Sequence, residues 1–343
     1  MEKRKSAGKR ALPALLALLA AVVLAAGGCS GQKKAGSPET PLKIALSPWP
    51  GWFFWFVVEE KGFFGEHGAN VELVWFPVYS DSLQAFATGQ VDANSQTLSD
   101  TLAPASKGIG VKAVLVNDNS YGGDAIVAKP EIGGIPDLKG KTVATELGTV
   151  DHFLLLTALA EHGMTEQDIN FVNMTVNDAG PAFISGKTDA AVLWEPFRTM
   201  AVKEGGGKVL FSSRDTPGLI PDLLVFREEA AADRPDDVQK VVDAWFAAVD
   251  WYLESEQNRQ EAIDIMARKA EQTPEDFRTA FDSIKLFTLE DNLKAYEPGD
   301  TYESLQFTGR KTAEFLQGLD MLGGIPDIAA MLEPKFVRNL AER

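Results

Sequence analysis

Cysteine is almost absent from the chain: Cys29 is the only one in 343 residues. A single thiol excludes an internal disulfide, a cysteine-built zinc site and a CxxC redox pair. Histidine is nearly as scarce. His67, His152 and His162 show no metal-ligand spacing, and no Walker loop or Ser-His-Asp order stands out, so neither a metal nor a cofactor is expected. Positive charge is short as well, with Lys+Arg 33 against Asp+Glu 49 and a formal charge of −16. Such a chain repels phosphate backbones, and no basic block follows residue 10, which argues against nucleic acid as a partner. Arginine is missing altogether between Arg10 and Arg198. After residue 26 no apolar run approaches the roughly 18 residues of a membrane span. What remains is 45% hydrophobic residues over a length suited to about two domains, which excludes disorder.

The first residues read as an export signal. Lys3, Arg4, Lys5, Lys9 and Arg10 precede an apolar run from Ala11 to Ala26, too short to span a bilayer. Ala26-Gly27-Gly28-Cys29 then resembles a bacterial lipobox, with Ala26 where leucine is commoner. That resemblance implies cleavage after residue 28 and a lipid on Cys29. Removal of residues 1–28 takes away five positive charges and Glu2, leaving a mature chain of −20. Residues 29–41 are small and polar and read as a flexible tether.

From Leu42 short apolar strands alternate with helical patterns, the signature of parallel sheets covered by helices. Strands are expected at 42–47, 70–76, 91–94, 111–117, 124–129, 141–145, 169–174, 188–193, 208–211 and 221–226. Helices are expected at 52–67, 80–88, 98–107, 150–163 and 178–185, and the chain reads as almost wholly helical after about residue 235. An internal repeat organises this pattern. Ala85-Phe86-Ala87-Thr88-Gly89-Gln90-Val91-Asp92-Ala93 is echoed 97 residues later by Ala182-Phe183-Ile184-Ser185-Gly186-Lys187-Thr188-Asp189-Ala190. The shared pattern is a helix end, a glycine able to take positive φ, and an immediate strand. Two similar βαβ lobes follow, with strands 124–129 and 221–226 as the two crossings between them.

At Glu59-Glu60-Lys61-Gly62-Phe63-Phe64, Val71-Glu72-Leu73-Val74-Trp75-Phe76, Ala87-Thr88-Gly89-Gln90-Val91-Asp92, Asp137-Leu138-Lys139-Gly140-Lys141 and Asp189-Ala190-Ala191-Val192-Leu193-Trp194-Glu195-Pro196-Phe197, the sequence resembles a family. It is similar to substrate-binding proteins of ABC importers, in the group that takes nitrate, sulfonates, taurine and thiamine precursors. The resemblance implies a two-lobed α/β periplasmic binding protein fold of type II with a two-strand hinge. Lobe I would comprise 42–126 and 222–343 with the C-terminal helices, and lobe II 127–221. It also implies a monomer that closes on a small-molecule solute and presents it to a permease with its ATPase.

Sheet physics places a site beyond the C-terminal strand ends, where loops lead into helix N-termini. The candidates are Trp49, Trp52, Tyr79, Ser80, Asp81, Gln96, Thr97, Asp118 and Tyr121 on lobe I. On lobe II they are Gly148, Thr149, Val150, Asp151, His152, Asp178, Trp194 and Glu195. Ser80, Thr97 and Thr149 read equally well as N-caps, and Asp81 and Asp151 as dipole partners. Trp55, Phe53 and Phe56, on the following helix, read as core. Without an arginine on either wall, carboxylates among aromatic rings suit a cationic or nitrogen-bearing organic solute. The alternatives are a sulfonate, taurine or nitrate-type anion, a sensor lipoprotein, or an enzyme resembling the pyrimidine-precursor synthases or lyases of this fold. The synthase resemblance implies a cysteine-rich motif that this chain does not have.

Overall fold

The structure is a computed structural model and describes residues 40–343. The export signal, Cys29 and the tether as far as residue 39 lie outside the described residues. The chain begins with β1 (Leu42–Leu46), α1 (Phe54–Glu60), α2 (Phe63–Glu66), β2 (Val71–Trp75), α3 (Tyr79–Ala87), β3 (Ala93–Thr97), α4 (Leu98–Ser106) and β4 (Val111–Ser120). It continues with β5 (Ala125–Ala128), β6 (Thr142–Thr145), α5 (Val150–Glu161), β7 (Asn170–Asn173), α6 (Val176–Ile184), β8 (Ala190–Leu193), α7 (Phe197–Lys203) and β9 (Lys208–Ser212). It returns as β10 (Pro221–Arg227), α8 (Glu228–Asp233), α9 (Pro235–Glu254), α10 (Glu256–Lys269), α11 (Pro274–Phe281) and β11 (Ile284–Leu286). It ends with α12 (Leu289–Ala295), α13 (Leu305–Gly318), α14 (Ile328–Met331) and α15 (Lys335–Ala341).

Two mixed sheets result, ordered β11-β4-β10-β3-β1-β2 and β7-β6-β8-β5-β9. In the first sheet β10 is antiparallel to β3 and β4, and the edge strand β11 to β4; in the second, β5 is antiparallel to β8 and β9. The internal repeat has a physical basis. Gly89 and Gly186 both sit at φ +75, ending a helix in the left-handed region where a side chain is strained. Three residues on, Asp92 accepts the backbone N–H of Lys43 at 2.8 Å and Asp189 that of Thr142 at 2.9 Å. Each aspartate therefore clamps the start of the neighbouring parallel strand in its own sheet.

The crossings differ from the expectation. β5 lies wholly in the second sheet and β10 wholly in the first, so the chain changes sheets in 121–124 and 213–220. A strand that left its sheet would strand its ladder bonds, and side chains supply the substitutes here. Ser213 Oγ accepts the N–H of Gly122 at 2.6 Å and lies 2.7 Å from Ser120 Oγ, while Arg214 Nε donates to the Tyr121 carbonyl at 2.9 Å. The two crossings are thus tied to one another.

Two strands also run further than their apolar patterns. β3 is the sequence Ala93-Asn94-Ser95-Gln96-Thr97, buried throughout although four of its five residues are polar. Its polar groups pair internally: Trp55 Nε1 donates to Ser95 Oγ, Asn94 to Gln96, and Gln96 to Thr101. β4 likewise continues to Ser120, which puts Asp118 on a strand rather than in a loop. The C-terminal helices pack on the first sheet. Asn292 brackets β4 by accepting from Val116 N–H and donating to its carbonyl, and Tyr296 donates to the Ala113 carbonyl. Trp55 is fully buried against Trp245 of α9, with ring centres 4.3 Å apart. Among the described residues no helix is long and apolar enough to cross a membrane.

Candidate functional site: an acidic interlobe cleft

The loop after β1 carries two prolines and two tryptophans into the space between the sheets. Gly51 in that loop is required by proximity, since a Cβ there would lie 1.9 Å from Asp118 Oδ2. Asp118 Oδ1 in turn accepts the Trp49 Nε1–H at 2.9 Å. The far edge of the Trp49 ring rests on Gly123 of the first crossing, where a Cβ would be 2.5 Å from it. One strand, one loop and the hinge are therefore registered through Trp49. Gly51→Ala is expected to displace the Asp118 carboxylate, reducing stability by about 1–3 kcal/mol. A thermal denaturation series with Gly65→Ala as the open-space control checks this.

Around this point Pro48, Trp49, Trp52, Tyr79 and Thr97 meet Asp124 of the crossing, Asp222 of β10, and Val150 and Trp194 of the second lobe. They enclose a cavity of about 10 Å³, room for roughly one water molecule. The aromatic walls are continuous. Trp52 stands 5.2 Å from Tyr79 between ring centres, and Tyr79 meets Trp194 edge-on at 5.6 Å across the lobes. The lobes also touch through Asn177 donating to the Pro77 carbonyl and through the Lys203–Asp276 pair at 2.7 Å.

The charge at this cavity is of one sign. Asp118 and Asp222 face each other on neighbouring strands, and Asp124 faces Asp151 in the first turn of α5. Among the described residues, Asp118 Oδ2, Asp124 Oδ2, Asp222 Oδ2 and both Asp151 oxygens have no hydrogen-bond donor, nor does the buried Trp52 Nε1–H have an acceptor. Two carboxylates can bond to each other only while one holds a proton. Burial pushes Asp118 up to about 8 against the hydrogen bonds to Trp49 and Asp222, with the charge of Asp124 adding to the rise; burial pushes Asp124 up to about 6 against those to Ser120 and Asp151, with the charge of Glu195 adding. Burial and then neighbouring aspartates hold Asp151 and Asp222 well above the usual carboxylate range. Asp100 at the start of α4 is raised to about 7 by burial, although Thr97 Oγ1 donates to it at 2.9 Å. No lysine, arginine or histidine is among the residues lining the cavity.

The sequence candidates divide accordingly. Trp49, Trp52, Tyr79, Thr97, Val150 and Trp194 line the cavity, with Asp118 and Asp151 directly behind it. Thr97 also caps α4 by accepting the Asp100 N–H. Thr149 precedes α5 and donates to the Glu146 carbonyl. Ser80 lies beside Glu146 at the interlobe rim, and Asp81 is exposed on α3. Other candidates are used elsewhere. Gln96 is inside β3, bonded to Thr101. Glu195 is fully buried, but Arg198 and Thr199 occupy both its oxygens, so it stabilises the start of α7. His152 is held by Glu166 at 2.5 Å and by the N–H of Gly148, a left-handed turn residue. Asp178 is exposed and accepts from Thr175. Tyr121 is 48% exposed beneath Arg214 and lines a separate cavity of about 720 Å³.

Asp124 and Asp222 escaped the sequence reading because one lies in a crossing and the other at the start of β10, where no strand-to-helix loop drew attention. The available signal was an ionisable residue inside the apolar run Leu219-Ile220-Pro221-Asp222-Leu223-Leu224. Among the described residues no group of three or more His, Cys, Asp or Glu side chains could hold a metal ion.

Two α/β lobes, a double crossing and a cleft at the strand ends define a two-lobed periplasmic binding protein fold. The chain belongs to the NMT1-like family, whose model matches residues 35–267. It is similar to the taurine-binding periplasmic protein of Escherichia coli (strain K12), 26% identical over 230 residues, or 66% of this chain and 67% of that one. The alkanesulfonate-binding protein SsuA from Xanthomonas axonopodis pv. citri, bound to MOPS, superimposes with a TM-score of 0.70 at 18% identity, covering 86% of this chain and 98% of its own. The periplasmic nitrate-binding protein NrtA from Synechocystis PCC 6803 gives 0.72 at 13% identity, covering 88% of each chain.

Proposed function

We propose that this protein is the extracytoplasmic solute-binding component of an ABC importer, and that its solute is a small nitrogen-bearing cation. The family and fold support the transport role. One observation carries the choice of solute: four buried aspartates with unpaired oxygens surround a cavity that no cationic side chain lines. Once the pairs have lost their shared protons, a sulfonate or nitrate placed there would meet like charges. At an effective dielectric constant of about 20, one such pair at about 4 Å repels by about 4 kcal/mol. A cation would instead replace the shared protons and satisfy the orphaned oxygens while aromatic faces flank it.

Binding couples to closure because the groups come from both lobes and the hinge. A solute held by all three favours the closed form by its differential affinity, and the closed surface is what a permease with its ATPase would recognise. Titration of refolded, ligand-free protein with amines and with taurine or alkanesulfonates, followed by calorimetry and tryptophan fluorescence at pH 8, tests the solute class. Binding of the cations alone is expected. Tight taurine binding without cation binding would refute it.

The lipobox-like Ala26-Gly27-Gly28-Cys29 supports a lipid anchor on Cys29. Cys29→Ala is expected to abolish incorporation of labelled fatty acid and release the protein from the membrane fraction. Unchanged labelling would remove the anchor from the proposal.

A further inference from the structure

A second cavity, about 720 Å³, lies outside the cleft and shares none of its lining residues. That volume falls among those of small-molecule sites, roughly 300–1,000 Å³. Its walls come from the end of β4, the second crossing, β11 with α12, and the loop before α13. Gly218 closes one side. At φ +84 it brings the crossing so near that a Cβ would lie 2.6 Å from the Tyr302 carbonyl oxygen.

Three features of these walls choose among ligands. Tyr121, Phe287 and Tyr302 line the cavity from separate elements, and their ring contacts are with Arg214, Lys285 and Phe307 rather than with one another. Tyr121 is 48% exposed and Tyr302 42%, so apolar ring surface is left open around the cavity. Charge, by contrast, is balanced. Lys285 pairs with Asp291 at 2.7 Å and Lys294 with Glu303 at 3.1 Å, all four lining the cavity, so neither sign is left over to select an ion. The third feature is Asn119. Alternation along β4 turns it away from Asp118 and the cleft. It is 8% exposed, and its side-chain amide has no hydrogen-bond partner among the described residues. Unlike the sealed amide of Asn117, its amide atoms remain accessible. A carboxamide offers a donor and an acceptor side by side, and its complement is an edge that does the same.

We infer that this cavity is a second small-molecule site, taking an uncharged flat ring with an adjacent donor and acceptor, as in a nucleobase or an aromatic carboxamide. The ligand's edge pairs with the Asn119 amide, and its ring lies against the tyrosine and phenylalanine side chains. Contact with aromatic rings tolerates many ring types, so the hydrogen-bonding edge sets the preference. The inference is independent of what the cleft binds.

The test is calorimetric titration of the full chain with nicotinamide and cytosine. The controls are benzyl alcohol, a ring without the edge; acetamide, the edge without the ring; and benzoate, a charged ring. Nicotinamide and cytosine are expected to bind at least about tenfold more tightly than any control. Asn119→Leu should bring nicotinamide down to the level of benzyl alcohol and leave benzyl alcohol itself within about twofold. Tyr302→Ala, a loop substitution, should weaken both ring ligands by about fivefold or more. Thermal melting establishes that each variant is folded. Benzyl alcohol binding as tightly as nicotinamide would overturn the assigned class. Nicotinamide affinity unchanged in both folded variants, or no binding of nicotinamide or cytosine up to their solubility limits, would overturn the site.

Discussion

Asp222→Asn is expected to make the ligand-free protein more stable and to cost it most of its affinity for a cation. Asp222 is 1% exposed, has an oxygen without a donor, and faces Asp118 and Asp124 with no basic side chain lining the cavity beside it. Above the pH at which the pair loses its shared proton, the folded chain holds like charges in a medium that solvates them poorly. An amide of the same shape removes one of those charges and can donate to Asp118. Relief of about 1–3 kcal/mol corresponds to a rise of roughly 2–6 °C in the melting temperature of a chain this size. The same substitution removes a buried charge-assisted acceptor for the solute, for which a loss of about 3 kcal/mol, or roughly 100-fold in Kd, is expected. Opposite signs for stability and affinity mark a functional site that strains its own fold. Glu195→Gln provides the contrast. Glu195 is equally buried but bonded to Arg198 and Thr199, so its loss should lower stability and leave affinity within about threefold. Scanning calorimetry and titration on both variants decide the matter. A destabilised Asp222→Asn protein with wild-type affinity would mean that the carboxylate is structural.

The sequence disclosed the fold more fully than the site, for a physical reason. Lobes repeat because the turn Gly89-Gln90-Val91-Asp92 and its partner Gly186-Lys187-Thr188-Asp189 solve one steric and one hydrogen-bonding problem, and both solutions are local. Apolar runs marked ten strands because sheets buried on both faces need them. β3 was cut short where its residues turn polar, since nothing local shows that Ser95 meets Trp55 forty residues away. β11 was missed because three residues pairing with the end of β4 form too short a pattern. At the cleft, the loop after β1 pointed to Trp49 and Trp52, and both line the cavity. Glu195 was assigned to the ligand because sequence cannot show that Arg198 and Thr199, one helical turn on, already satisfy it. Asp222 and Asp124 become significant only when the fold brings Asp222 to Asp118, 104 positions away in the chain, and Asp124 to Asp151, 27 positions away.

Cation affinity is expected to climb steeply with pH between about 6 and 8 and then level off. Protons and solute compete for the same oxygens. Asp124 is raised to about 6, Asp100 to about 7 and Asp118 to about 8, chiefly by burial, and Asp151 and Asp222 are raised as well. Below that window the cluster holds its protons, and a cation must displace them. Each proton released on binding steepens the dependence by a factor of about ten per pH unit. Stability of the ligand-free chain should run the other way. An acid whose folded pKa lies above its unfolded value binds more protons folded than unfolded between the two, so stability falls as pH rises from about 4 towards 8. The surface acids act elsewhere. Asp168, Asp189 and Asp276 are held below the usual range by donors such as Thr165, Thr142 and Lys203, so their contribution is complete above about pH 4 and is lost only in stronger acid. Above that acid range the pH dependence is carried by the raised acids, those of the cleft together with Glu146, Glu195 and Asp250. Calorimetry in buffers of different ionisation enthalpy counts the protons released directly, and a cation that binds with no proton release and a flat pH profile would show that the aspartate pairs do not hold it.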